Sequence, residues 1–99
     1  MNVHNIFLDR LPRIDLHGYD RDSARVAVND FIEEAIMMGY PKVLIIHGIG
    51  SGIVKNTVQE TLFRNKKVLS YHIDGMNTGC TVVKLKLGKW DSYDNEFGN

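Results

Sequence analysis

Short apolar runs alternate along this chain with longer amphipathic stretches. In Ile14-Asp15-Leu16-His17-Gly18 the alternation is strict, so Ile14 and Leu16 share one face of a strand and Asp15 and His17 the other. From about Ser23 to Met38, Ala24, Ala27, Val28, Phe31, Ala35 and Met38 recur at three- and four-residue steps, which predicts a helix. Asp20 or Asp22 can cap its start, Gly39 suits the C′ position, and Pro41 blocks continuation. Lys42 to His47 is apolar without alternation, the pattern of a strand covered on both faces. A second helix is expected from near Gly52 to near Arg64, with Val54, Val58 and Leu62 as its buried stripe and Asn65 as its stop. Val68 to Ile73 reads as a third strand, and Asp74 to Gly79 as a turn. Thr81 to Leu87 alternates with Lys84 and Lys86 on one side, which predicts a partly exposed or edge strand.

The resulting order is βαβαββ. Each strand–helix–strand crossing predicts parallel neighbours, and the short last link predicts antiparallel pairing of strands three and four. This is an α/β domain with a mixed four-stranded sheet and two helices. Residues 1–12 read as an N-terminal arm, 13–88 as the domain, and 89–99 as an acidic tail carrying Trp90, Tyr93 and Phe97.

Composition adds boundaries to this picture. The 99 residues suit one domain, and 43% hydrophobic with 24% charged residues are ordinary globular values. The lone Cys80 cannot form an internal disulfide, no apolar run approaches the ~20 residues that span a bilayer, and no secretory pattern opens the chain. A cytoplasmic protein without a membrane partner is expected. The net charge is zero, but residues 1–41 carry four Arg against seven acids. Residues 42–89 carry seven Lys and Arg64 against Glu60 and Asp74, a balance of +6, and residues 90–99 add three acids. The later segment can therefore face an anion, although a scattered, solvated lysine surface gives the same count.

The candidate chemistry lies at two histidine–glycine pairs, His17-Gly18 and His47-Gly48, each closing an apolar run. If both runs are parallel strands, the imidazoles share the sheet edge where open α/β sheets place their ligands. Asp15 and His17 would stand about 6.5–7 Å apart along the backbone. A carboxylate near imidazoles favours the charged ring and fixes its tautomer, the apparatus of general acid–base catalysis. The plainer reading is that Asp15 caps a turn and the histidines are satisfied strand-end residues. Gly48-Ile49-Gly50-Ser51-Gly52 then opens a helix, where free N–H groups and close backbone approach suit a phosphate, with a positive φ expected at Gly50 and Lys55 supplying charge in the first turn. The loop matches neither the dinucleotide fingerprint nor a P-loop. His4 and His72 are weaker candidates, and Cys80 reads as a buried, inert thiol. Close zinc-ligand pairs are missing. A carboxylate with two histidines can hold a divalent ion such as Mg²⁺, although no cofactor is required.

These residues resemble a known family. Ile14-Asp15-Leu16-His17-Gly18 is similar to the Leu-Asp-Leu-His-Gly motif of the Smr, or small MutS-related, domain, here in stand-alone form. His47-Gly48-Ile49-Gly50-Ser51-Gly52 resembles its second motif, and Asn77-Thr78-Gly79-Cys80-Thr81-Val82-Val83 its late glycine-turn-strand. The resemblance covers about residues 13–88. It implies a two-layer α/β sandwich similar to the C-terminal domain of bacterial translation initiation factor three. It also implies nucleic-acid binding, with nicking of DNA or cleavage of RNA linked to stalled translation, so that DNA, RNA and the ribosome are the expected partners. Functional weight falls on Asp15, His17 and His47 and on Gly48, Gly50 and Gly52. The basic residue closing the second motif is commonly Arg, whereas this chain has Lys55, which lacks the bidentate fork.

The leading expectation is therefore an endonuclease, a phosphodiester hydrolase. Asp15, His17 and His47 would supply the chemistry, and Gly48, Gly50, Ser51, Gly52 and Lys55 the nucleic-acid contacts. The alternatives are a non-catalytic DNA-, RNA- or ribosome-binding module, and a small enzyme acting on a phosphate ligand.

Overall fold

The computed structural model describes residues 10–50 and 52–87. Strand β1 spans Arg13–Asp15, helix α1 Arg21–Met37, strand β2 Lys42–Ile46, helix α2 Ile53–Arg64, strand β3 Val68–Ile73 and strand β4 Cys80–Leu85. The expected βαβαββ order holds. Most of the arm, Ser51 and everything from residue 88 on, with Trp90, Tyr93 and Phe97, lie outside the described residues.

Local chemistry sets the helix ends. Asp20 is the N-cap of α1, its Oδ1 accepting from the Ser23 amide at 2.8 Å. At the other end Gly39 adopts φ +81°, the Gly39 amide donates to the Ile36 carbonyl, and the Tyr40 amide donates to the Ala35 carbonyl. That pair of bonds is a Schellman motif, and a side chain at Gly39 would strain it. The buried stripe of α1 is Ala24, Val28, Ile32 and Ala35, with Phe31 half-buried beside it. Met38, expected in that stripe, lies past the end of the helix at 62% exposure, and Ile32 takes the inward place. In α2 the expected Val58 and Leu62 are buried, with Thr57 and Thr61 beside them on the side toward α1.

The sheet order is β1-β2-β4-β3. Strands β1 and β2 are parallel neighbours, and β4 is antiparallel to both β2 and β3. Two expectations are corrected here. Strands β2 and β3 share a direction without being neighbours, because β4 inserts between them. Strand β4 is interior rather than edge, and β3 takes the edge position on that side of the sheet. The physical reason lies in the side chains of the two strands. Five of the six β4 residues are buried, with Thr81, Val83 and Leu85 toward the helices and Cys80 and Val82 on the opposite face. By contrast β3 exposes Leu69, Ser70 and His72, as an edge strand can. Lys84 keeps its ammonium in water at the end of β4, opposite Lys42 in the register.

The main core fills the space between the helices and one sheet face, and centres on Leu16, Val28, Ile32, Ile45, Val58, Leu62 and Val83. A smaller cluster of Leu44, Cys80 and Val82, with Leu11 and Ile46 packed against it, occupies the other face. Both βα connections, residues 16–20 and 47–52, emerge at the carboxyl ends of β1 and β2 and so at one edge of the sheet.

Candidate functional site

Strand β1 stops at Asp15, which is in register with Ile46. The Leu16 amide still donates to the Ile46 carbonyl at 2.8 Å, and then the chain turns, with the Tyr19 amide on the Leu16 carbonyl at 3.0 Å and Gly18 at φ +81°. The Asp15 carboxylate accepts from the backbone amide of His17 at 2.9 Å. The strand rule that would have put Asp15 and His17 side by side therefore ends one residue too early. Asp15 organises the turn, and His17 sits on the turn with its ring exposed. Among the described residues the His17 imidazole has no hydrogen-bond or ion-pair partner.

His47 is placed differently. It is only 7% exposed, and its backbone amide and that of Gly48 both donate to the Gly79 carbonyl at 2.9 Å. The start of β4 is thus docked against the glycine loop. A Cβ on Gly79 would stand 3.3 Å from Gly48 Cα and 3.3 Å from Ile49 Cγ1, a tight approach that any side chain there could make only if the glycine loop shifted by a few tenths of an ångström. In the ring of His47, Nδ1 lies 3.0 Å from the Gly48 carbonyl and Nε2 lies 2.8 Å from Thr81 Oγ1. A carbonyl can only accept, so Nδ1 carries the hydrogen. In the neutral ring Nε2 then accepts from the Thr81 hydroxyl, whose oxygen accepts from Gln59 Nε2 at 3.1 Å. Burial holds the His47 pKa below the ordinary imidazole value, the Lys55 charge adds to that, and the Gly48 carbonyl opposes it. Both nitrogens of this neutral ring are occupied.

The glycine loop leads into α2. Gly48 and Gly52 adopt φ +83° and +89°, whereas Gly50 is not in the left-handed region, which corrects the expectation of a positive φ there. A Cβ at Gly50 would meet nothing within 4 Å, so the space beside it is open. Gly52 is the N-cap of α2 and supplies no side-chain cap, and no acid stands in the first turn. The Asn56 amide closes on the Gly52 carbonyl at 2.8 Å. The amides of Ile53, Val54 and Lys55 precede that first helical bond, and such groups favour an anion.

A cleft of about 290 Å³ collects these elements, with His17, His47, Gly48, Gly50, Gly52 and Lys55 on its walls. Asp15 does not line it, and Ser51 lies outside the described residues. Among the described lysines of the basic segment, Lys55 is the one on this cleft, whereas Lys67 pairs with Glu33 on the helical side. His72 is exposed on β3, and His4 lies outside the described residues. The Cys80 thiol is pushed up by burial first and then by the Asp74 and Asp15 carboxylates, with Arg13 opposing. Among the described residues no three His, Cys, Asp or Glu side chains gather into a metal-ligating group.

Thr81, Gln59 and Gly79 are supporting residues that the sequence pattern did not single out as part of a site. A signal existed for Thr81: it is a hydroxyl in an apolar alternation, and it is fully buried. Gln59 had none, because a polar residue on a helix is ordinary.

The fold and cleft together define a small α/β domain with a glycine loop, a bare helix N-terminus and a histidine at one sheet edge. Residues 14–86 match the Smr domain family, and the chain belongs to it. It is 43% identical over 77 residues to a protein called endonuclease MutS2 from Staphylococcus saprophyticus, and 38% identical over 93 residues to one from Aquifex aeolicus. Those alignments cover 74% and 90% of this chain but 10% and 12% of the relatives, so the chain spans about a tenth of their length. The crystal structure of the Smr domain of Thermus thermophilus MutS2 superposes with a TM-score of 0.75 at 30% identity, covering 77% of this chain and 99% of that one. YdaL, a stand-alone small MutS-related protein from Escherichia coli, superposes with a TM-score of 0.71 at 25% identity, covering 87% of this chain and 78% of that one.

Proposed function

We propose that this chain is a nucleic-acid-binding endonuclease that cleaves a phosphodiester held in the cleft. The observation that carries the reading is the exposed imidazole of His17, without a partner among the described residues, on the same cleft as the uncapped start of α2. A phosphate seated against the amides of residues 53–55 would have its charge held by oriented backbone dipoles and by Lys55. His17 would accept the proton of the attacking oxygen, which is water or, in RNA, the neighbouring 2′-hydroxyl. A new oxygen–phosphorus bond forms as the bond to the leaving oxygen breaks, that oxygen takes up a proton from water, and His17 returns its proton to solvent. Asp15 acts as a positioning residue, since its carboxylate fixes the turn that presents His17. His47 holds the glycine loop against β4, because neither nitrogen of its neutral ring is free to move a proton. The MutS2 relatives are called endonucleases, which supports the same reaction class.

One observation favours a second reading, a binding module without catalysis: with Asp15 and His47 engaged, His17 is the single imidazole left to the cleft among the described residues. Incubation of the purified chain with labelled single- and double-stranded RNA and DNA, with and without EDTA, separates the two. Cleavage that co-purifies with the wild-type chain and disappears in His17→Ala is the expected result. Retention of the label without cleavage on every substrate would leave the binding module.

A further inference from the structure

A second cleft, of about 260 Å³, lies between α1 and α2 outside the glycine-loop site. Its walls carry Arg21 and Arg25 from α1 and Arg64 from α2, together with Asp22 and Glu60. Arg25 reaches Asp22 at 3.7 Å within α1 and Arg64 reaches Glu60 at 3.4 Å within α2, both in exposed pairs. Such pairs contribute little and yield readily to a stronger anion. Arg21 has no carboxylate partner among the described residues. Between the two helices stands Thr61, 7% exposed and lining the same cleft, and its hydroxyl has no hydrogen-bond partner among the described residues. The neighbouring Thr57, by contrast, donates to the Ile53 carbonyl at 2.8 Å. A buried hydroxyl without a partner is costly unless something polar occupies the space before it. Three guanidiniums and a hydroxyl without a partner among the described residues line one cleft, a donor set that suits a phosphate, for which arginine forks are well suited.

We infer that the groove between α1 and α2 is a second phosphate site, in which Arg21, Arg25, Arg64 and the Thr61 hydroxyl hold the backbone of the strand that enters the glycine-loop cleft. The inference rests on the nucleic-acid reading proposed above. The two clefts are joined by short stretches of chain: Arg21 follows Gly18 by three residues, and Thr57 follows Lys55 by two. Nine residues of helix separate Gly52 from Thr61, a rise of roughly 13 Å. That distance corresponds to roughly four stacked nucleotides at ~3.4 Å each. The strand thus crosses the start of α1 and follows the helical groove away from the sheet edge, which sets a minimum substrate length for full affinity.

The test is an amide NMR titration of the full chain with a dinucleotide and with a hexanucleotide, repeated on an Arg21→Ala/Arg64→Ala variant and on Thr61→Val. The hexanucleotide is expected to shift amides of both residues 48–55 and residues 57–65, and the dinucleotide the first group alone. In the double variant the groove shifts should vanish while the cleft shifts remain. Its log–log salt slope should fall by about 0.7, the value for one lost single-strand phosphate contact. If that contact contributes nothing at 1 M salt, affinity at 0.1 M falls about 5-fold. Thr61→Val keeps the side-chain shape and should weaken hexanucleotide binding without lowering the melting temperature. Shifts confined to residues 48–55 with the hexanucleotide would overturn the groove and leave the cleft reading intact. Shifts confined to the groove would uphold this site and overturn the cleft reading, and no shifts at all would overturn both.

Discussion

At the scale of single residues, the two histidines of the paired motifs have parted company. His47 is buried and neutral with both ring nitrogens hydrogen-bonded, whereas His17 is exposed and free among the described residues. The lowered pKa of His47 makes folding depend on pH with a defined sign. The native state takes up this proton less readily than the unfolded chain, whose imidazole titrates near 6.5. Stability should therefore be flat above about pH 7.5 and fall as the pH drops through 6.5 toward the lower native value. His47→Gln should remove that segment of the pH profile, measured as urea midpoints from pH 5 to 8. Thr81→Val leaves the ring and Gln59 without their shared partner, and should cost about 1–3 kcal/mol. The glycines of the loop also separate. Gly48→Ala and Gly52→Ala place a side chain at positive φ and should each cost about 1–2 kcal/mol. Gly50→Ala should leave the melting temperature nearly unchanged, since its backbone is ordinary and its surroundings open, and should weaken nucleic-acid binding alone.

At the scale of elements, the capping residues and the apolar stripes were legible before any coordinates. Asp20, Gly39, Val58 and Leu62 do what their types and spacing predict. The strand order was not legible in the same way. Alternation in Thr81 to Leu87 reports which residues share a face, but two lysines on one face suggest an edge only if the strand has no second neighbour. In β4 the opposite face of the strand is also apolar through Cys80 and Val82, and the lysines fall at its end and beyond it. The site shows the same limit. The motifs brought His17, His47 and the glycines to one cleft, but the path of Asp15 into a turn depends on where β1 stops, which periodicity over five residues does not define. Because Lys42 and Lys84 face each other in the β2–β4 register, Lys84→Glu should raise stability by ~0.2–1 kcal/mol, read as a higher urea midpoint with an unchanged slope.

At the scale of the whole molecule, the proposed function asks a chain of zero net charge to hold a polyanion. Local arrangement would do this: a bare helix start and Lys55 on the cleft, and the arginines proposed to hold phosphate in the groove between the helices. Affinity should accordingly be modest and salt-dependent, with each neutralised phosphate adding roughly −0.7 to −0.9 to the log–log slope. Lys55→Arg should tighten binding by restoring a fork to the phosphate, and Lys55→Ala should loosen it most at low salt. In the proposed function, holding and cutting belong to different groups of the same cleft. The cleavage rate and the affinity of His17→Ala, on one labelled substrate that the wild type cuts, separate the two. Affinity within about twofold of wild type is expected, with a cleavage rate lower by about 10²–10⁴, the range for a lost acid–base group. Cleavage by His17→Ala at the wild-type rate, with binding intact, would contradict that division.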